Sequence, residues 1–162
     1  MFCPNCGKPG DGYFCACCGV SMETGWRYVD LEPDAFLAFQ NAAVLRLHYA
    51  LMEKEMELYP RITKARDYFG LAAEQFISLA MRDIEISGSV YALCRAYKQP
   101  LPGCYSFKNL SILYENRQEY DKAIDVCRKS LSEGYRFDGT KGGMQSRLDR
   151  LKKLKSAVGE SR

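Results

Sequence analysis

Apolar side chains recur at helical spacing through most of the chain after residue 33. Phe36, Phe39, Ala43, Leu47, Ala50, Leu51 and Tyr59 share roughly one face, and Val44, Leu45 and Met52 broaden it. A stripe that wide predicts a helix from Pro33 to about Leu58 contacted from two sides. Pro33 suits a first helical turn, and Asp34 favours its dipole. Pro60 is expected to end this helix. The next is predicted from Ile62 to about Ile84, with Tyr68, Phe69, Ala72, Phe76, Leu79 and Ala80 as its stripe. Ser87-Gly88-Ser89 is an expected break before Val90, Leu93, Cys94 and Tyr97, and Pro100-Leu101-Pro102-Gly103 is a stop.

The segment Cys104–Phe137 has the clearest pattern. Phe107, Leu110, Ile112, Leu113 and Tyr114 form one helical face, and Asn116-Arg117-Gln118-Glu119 interrupts it. Tyr120, Ala123, Ile124 and Cys127 form a second face that closes at Leu131 and Gly134. Two short amphipathic helices joined by a tight turn cannot bury their apolar faces alone, so neighbours must stack on both sides. A last helix is predicted from Met144 to about Ala157. It places Leu148, Leu151 and Leu154 inward and Arg147, Arg150, Lys152, Lys153 and Lys155 outward, with Ser156 to Arg162 expected to fray. The intervening Asp138-Gly139-Thr140-Lys141-Gly142-Gly143 lacks phosphate-loop spacing and a preceding strand, so it is read as a connector.

Composition adds little to this picture and charge slightly more. With 162 residues, 47% hydrophobic and 27% charged, the chain suits one modest core plus a small appendage. The net charge of +3 is too small to imply nucleic acid, although residues 1–100 sum to −2 and residues 101–162 to +5. The most apolar window, Ala35 to Met52, contains Gln40, Asn41, Arg46 and His48, which argues against a membrane span. Eight cysteines with no export signal before Cys3 suggest cytoplasmic thiols and metal ligands, not a disulfide framework.

The cysteines carry the strongest chemical signal. Cys3-x-x-Cys6-Gly7 and Cys15-x-x-Cys18-Gly19 are two copies of one device, separated by turn residues Lys8-Pro9-Gly10-Asp11-Gly12. In each copy one thiolate binds, the chain turns beneath it, and the second thiolate returns three residues later. The glycine then supplies the positive φ that such a turn needs. Four thiolates set tetrahedrally about 2.3 Å from an ion describe one structural Zn2+, closed to water. Iron also fits four thiolates, but the short spacing and small fold favour zinc. Cys17 is an extra thiol; it is an alternative to Cys18, but Gly19 would then fall out of register.

These knuckles resemble the short zinc-ribbon family found at the ends of many bacterial proteins. The resemblance implies Cys3, Cys6, Cys15 and Cys18 as ligands on a small β-hairpin. The segment Cys104–Phe137 resembles the tetratricopeptide family. Phe107, Leu110, Tyr114, Tyr120 and Ala123 stand where that family places its aromatic, leucine, tyrosine, second tyrosine and alanine. Ser111, Cys127, Ser130 and Tyr135 depart from its pattern. By this resemblance Tyr105, Lys108, Asn109, Ile112 and Asn116 would face a peptide-binding groove, where Lys108 and Asn109 can meet a carboxylate.

The expected organisation is a zinc ribbon over residues 1–22, a linker over 23–32 and an all-α body over 33–162. That body would be built from tetratricopeptide-like antiparallel hairpins, with one unit at 104–137 and a capping helix at 144–157. Trp26, Tyr28, Val29 and Leu31 would pin the ribbon to the body. His48, the lone histidine, is read as a packing residue, and Glu53, Glu55 and Glu57 with Lys54 as a solvated helix end. No nucleophile–base pair or open metal site emerges, so the expected role is a non-enzymatic adaptor for a protein or peptide, with a homodimer as a further option. The competing role is a nucleic-acid-associated regulator using the ribbon together with Lys152, Lys153 and Lys155.

Overall fold

The computed structural model describes residues 1–10, 12–103 and 105–159. Asp11 of the expected turn, Cys104 at the head of the expected unit and residues 160–162 of the expected frayed end lie outside them. The described residues form helices α1 (Pro33–Gln40), α2 (Ala43–Ala65), α3 (Leu71–Tyr97), α4 (Tyr105–Asn116), α5 (Tyr120–Ser132) and α6 (Gly143–Gly159). No helix is long and apolar enough to cross a membrane among these residues. α2 packs on α3, both meet α4, and α4, α5 and α6 pack in succession.

The helix expected from Pro33 to Leu58 is instead two helices. Asn41 N–H donates to the Leu37 carbonyl and Ala42 N–H to that of Phe39, which closes α1, and Ala42 is extended before α2 begins. The break turns α1 so that Phe39 meets Tyr97, with ring centroids 5.4 Å apart.

Pro60 does not end α2; it lies inside it. An interior proline costs about 3 kcal/mol. The turn that follows it places Ile62 at 1% exposure, and Tyr59 packs on Phe76 across the α2–α3 seam. Fully burying Ile62 returns about 1.5–3 kcal/mol and the Tyr59–Phe76 contact adds to it, so the helix continues. It closes at Arg66, which takes a left-handed φ of 53°.

Ser87-Gly88-Ser89 does not break α3 either. Ser87 is buried, its hydroxyl donates back to the Ile84 carbonyl at 2.7 Å, and the Tyr135 hydroxyl donates to the Ser87 carbonyl at 2.9 Å. Val90 and Cys94 beyond it are fully buried, so packing overrides a weak local propensity. α3 ends at Lys98, just before the expected proline stop.

The α4–α5 hairpin follows its predicted boundaries closely. Gln118 turns the chain at φ 59°, and Gly134 closes α5 at φ +88°. A Cβ on Gly134 would stand 2.5 Å from the Tyr91 ring, so both backbone and space require glycine there. Leu148 and Leu151 of α6 are buried as expected, and Leu154 is half-buried. Arg147, expected outward, is turned in: its guanidinium donates to Asp138 at 2.9 Å, with both side chains nearly buried.

One cluster spanning α2 to α6, including Phe76, Phe107, Leu110, Leu113 and Met144, forms the main core. A separate one of Cys3, Cys15, Val20 and Met22 lies in the N-terminal segment. The expected N-terminal β-hairpin is not found among the described residues. Only two isolated antiparallel bridges occur, Phe2 with Pro9 and Phe14 with Ser21. Each knuckle folds back on itself too quickly to extend into a ladder.

Candidate metal centre

The N-terminal segment is a backbone repeat offset by twelve residues. Cys3 N–H donates to Lys8 and Gly7 N–H to Cys3; in the second copy Cys15 donates to Val20 and Gly19 to Cys15. Gly10 donates to Met1 as Met22 donates to Tyr13. Gly7 and Gly19 have φ of 70° and 68°, the left-handed turn anticipated from their position after the second cysteine.

These two turns bring the sulfurs of Cys3, Cys6, Cys15 and Cys18 within 4.8 Å of one another. Cys3–Cys18 and Cys6–Cys15 are each 3.6 Å apart. A tetrahedron with arms of about 2.3 Å has edges of about 3.8 Å, so the four sulfurs fit one tetrahedral ion. The set is positioned to bind a metal ion and is compatible with one zinc. Cys17 is exposed and outside the cluster.

Local electrostatics prepare the thiolates unequally. The backbone N–H of Val20, then the Asn5 side chain, bring Cys18 down to about 6. The N–H groups of Cys18 and Cys17 lower Cys15. The Lys8 N–H lowers Cys6, but burial and the three adjacent sulfurs prevail and push it up to about 12. Four sulfurs this close cannot all ionise alone, and a bound cation removes that conflict.

A third copy of the turn follows without sulfur. Ser21 N–H donates to Trp26, Gly25 N–H donates to Ser21, and Gly25 has φ 81°. Ser21-Met22-Glu23-Thr24-Gly25 thus repeats the C-x-x-C-G geometry with hydroxyls in the cysteine positions. The Ser21 hydroxyl accepts from the N–H groups of Glu23 and Thr24 at 3.2 and 3.3 Å. The sequence pattern S-x-x-T-G contained this signal, although a search for sulfur passes over it. The turn delivers Trp26 to the helical body. Its indole donates to the Gln99 carbonyl at 3.3 Å and meets Tyr91 edge-on at 5.4 Å. Val29 N–H donates to Lys98, and the Gln99 amide donates to the Val29 carbonyl at 2.7 Å.

A second polar constellation lies deep among α2, α3 and α4. His48, Glu55, Asp83 and Ser106 are each at most 1% exposed. His48 Nδ1 is 2.7 Å from Asp83 Oδ1, while Ser106 Oγ contacts Asp83 Oδ2 and both oxygens of Glu55. The packing role expected for His48 therefore includes a polar bond, and Glu55 is not on a solvated face. His48, Leu51, Glu55 and Ile62 form the buried stripe of α2. Spacing alone therefore placed Glu55 inside, but its charge suggested otherwise. The cluster has the residue types of a nucleophilic triad but not its wiring. Ser106 touches carboxylates, and the imidazole meets the other oxygen of Asp83.

Of the proposed groove residues on α4, Tyr105 and Asn116 are exposed, and Lys108, Asn109 and Ile112 are half-buried. Asn116 donates to the Ile112 carbonyl of its own helix. On α6, Lys152 and Lys153 are exposed, Lys155 pairs with Asp121, and Arg150 with Glu115. Comparison with protein-family models, curated proteins and solved structures gives no match for this chain.

Proposed function

We propose that the chain is a non-enzymatic adaptor of the cytoplasm, in which one structural zinc fixes a ribbon beside a tetratricopeptide-like helical body that binds a protein or peptide. The observation that carries this reading is the seam between ribbon and body. Tyr13 is 77% exposed, yet it stands 6.3 Å from Phe137 in the α5–α6 loop. Adjoining hollows of about 410 and 380 Å³ open here, lined by Met1, Tyr13, Phe137 and the turn from Thr140 to Gly143. An exposed tyrosine and a half-buried phenylalanine beside a half-open hollow suit a protein interface.

The chemistry of the metal set agrees. Four sulfurs complete zinc coordination and leave no position for water, so the ion holds shape. The α4–α5 hairpin with α6 against it suits a repeat unit and its capping helix, and Tyr105, Lys108 and Asn109 lie on the helix that would line a groove. A second copy of the chain is another partner class, since Phe36 and Leu37 of α1 are exposed.

The test is affinity capture from native lysate, with and without nuclease, using wild type, Tyr13→Ser and Cys15→Ser/Cys18→Ser. The reading expects a nuclease-resistant protein retained by wild type, lost from both variants, with the zinc content of Tyr13→Ser unchanged. Partners that vanish with nuclease and depend on Lys152, Lys153 and Lys155, but not on Tyr13, would replace it with the nucleic-acid role.

A further inference from the structure

Three carboxylate oxygens converge on one hydroxyl. Ser106 Oγ lies 2.6 Å from Asp83 Oδ2 and 2.8 and 2.9 Å from the two oxygens of Glu55. A hydroxyl has one hydrogen and two lone pairs, so it can donate to only one of these carboxyls. If both were ionised, the other would set its lone pairs against those of the serine oxygen, in an interior where each side chain is at most 1% exposed. The geometry needs one more proton. Asp83 is bonded through its other oxygen to His48 Nδ1 at 2.7 Å, which suits an anion, so the proton belongs on Glu55.

We infer that Glu55 is held as a carboxylic acid donating to Ser106, and that its ionisation loosens α4 from α2 and α3, making the cluster a pH-responsive latch. The bonds then run in one direction: Glu55 donates to Ser106, Ser106 to Asp83, and His48 Nδ1 to Asp83 from the other side. The groups facing Glu55 are Asp83 from α3, Ser106 from α4 and His48 on α2 itself. Among the described residues no lysine or arginine pairs with it. Ionisation therefore places a second negative charge beside Asp83 in the interior. Burial and the Asp83 charge push Glu55 up to about 7, with the Ser106 bond acting in the opposite direction.

The position gives the latch its consequence. α2 and α3 form one hairpin, α4 begins the succession that continues through α5 and α6, and Ser106 sits in the first turn of α4. A group raised in the folded state stabilises fully below its ordinary value, here 4.5, and that contribution is lost as pH rises through about 7.

The experiment compares the zinc-loaded full chain with its Glu55→Gln variant, whose amide keeps a donor for Ser106 but cannot ionise. Melting is followed from about pH 6 to about pH 8, where the ribbon contributes equally to both proteins. The wild-type midpoint should fall across this range and the variant's should hold, so that Glu55→Gln melts higher at the upper end. Protection of the α4 amides against hydrogen exchange, corrected for base catalysis, should fall in wild type alone. Parallel melting curves would overturn the inference. Should Glu55→Gln fail to fold, the carboxyl carbon resonance of Glu55 in wild type decides. An inflection near neutrality sustains the latch, and one in the ordinary carboxylate range overturns it.

Discussion

Trp26 and Gln99, 73 positions apart, join the ribbon to the body through a donor–acceptor relay. The indole of Trp26 donates to the Gln99 carbonyl, and the Gln99 side chain donates back to the Val29 carbonyl three residues past the tryptophan. Each segment thus satisfies a backbone group of the other. Trp26→Ala removes the indole bond and its edge contact with Tyr91, at an expected cost of about 2–3 kcal/mol for a half-buried aromatic. Limited proteolysis should then cut between residues 22 and 33, while zinc per chain stays the same.

The ribbon core and the main helical core predict separable responses to metal loss. The ribbon cluster contains only Cys3, Cys15, Val20 and Met22, with Cys18 packed against it, whereas the helical cluster contains no ribbon residue. Structural zinc supplies folding free energy to segments too small to fold otherwise, on the order of 10 kcal/mol in zinc-finger peptides. Chelation, or Cys15→Ser/Cys18→Ser, should disorder the first twenty or so residues and leave the far-ultraviolet helical signal nearly intact. Atomic absorption should read one zinc per wild-type chain and none in the variant. Cys17→Ser should leave the count at one, because that thiol lies outside the cluster.

Ser21 tests the metal-free third turn. Its hydroxyl receives the N–H groups of Glu23 and Thr24 and lies 3.1 Å from the Tyr28 hydroxyl. Ser21→Ala leaves those donors without an acceptor in a buried place, a loss of about 1–3 kcal/mol. The expected outcome is a lower melting temperature and a more mobile Trp26, read by indole fluorescence, with zinc stoichiometry unchanged. Ser21→Cys should retain most of the stability, since the Cys15 sulfur accepts from the N–H groups of Cys17 and Cys18 at the same place in the preceding turn.

These residues also mark what the sequence made legible. The clustering of Cys3, Cys6, Cys15 and Cys18 was legible because the spacing that suits metal ligands is short and fixed. The α4–α5 hairpin was legible because Gln118 and Gly134 stand where the backbone must turn. Pro60 and Ser87-Gly88-Ser89 misled because their local cost is smaller than the long-range packing of Ile62, Val90 and Cys94 that carries the helices through them. The Glu55–Asp83–Ser106 cluster was hidden for the same reason. Its members come from three helices, and only their tertiary meeting makes two carboxylates tolerable in the interior. The break at Asn41 likewise depends on where Tyr97 lies to receive Phe39.

Arg147 and Asp138 provide the last test, because one buried pair can be compared with exposed pairs on the same helix. Asp138 is 1% exposed at its side chain and Arg147 10%, whereas Lys155 and Asp121 are 52% and 76% exposed. Removing one partner of a buried pair leaves the other uncompensated, at about 3–5 kcal/mol, whereas an exposed pair is worth about 0–1 kcal/mol. Asp138→Ala should therefore destabilise strongly and Asp121→Ala barely. Burial opposes ionisation of Asp138, but the Thr140 hydroxyl and N–H and the Arg147 guanidinium outweigh it and hold the carboxyl below its ordinary value. A lowered carboxylate stabilises above its ordinary value, 3.8 here, and that contribution is lost as pH falls through the depressed folded value. The stability gap between wild type and Asp138→Ala, from denaturant melts, should be full at about pH 7 and shrink only below about pH 4. A gap that stays constant into strong acid would show that Asp138 contributes by packing and not by charge.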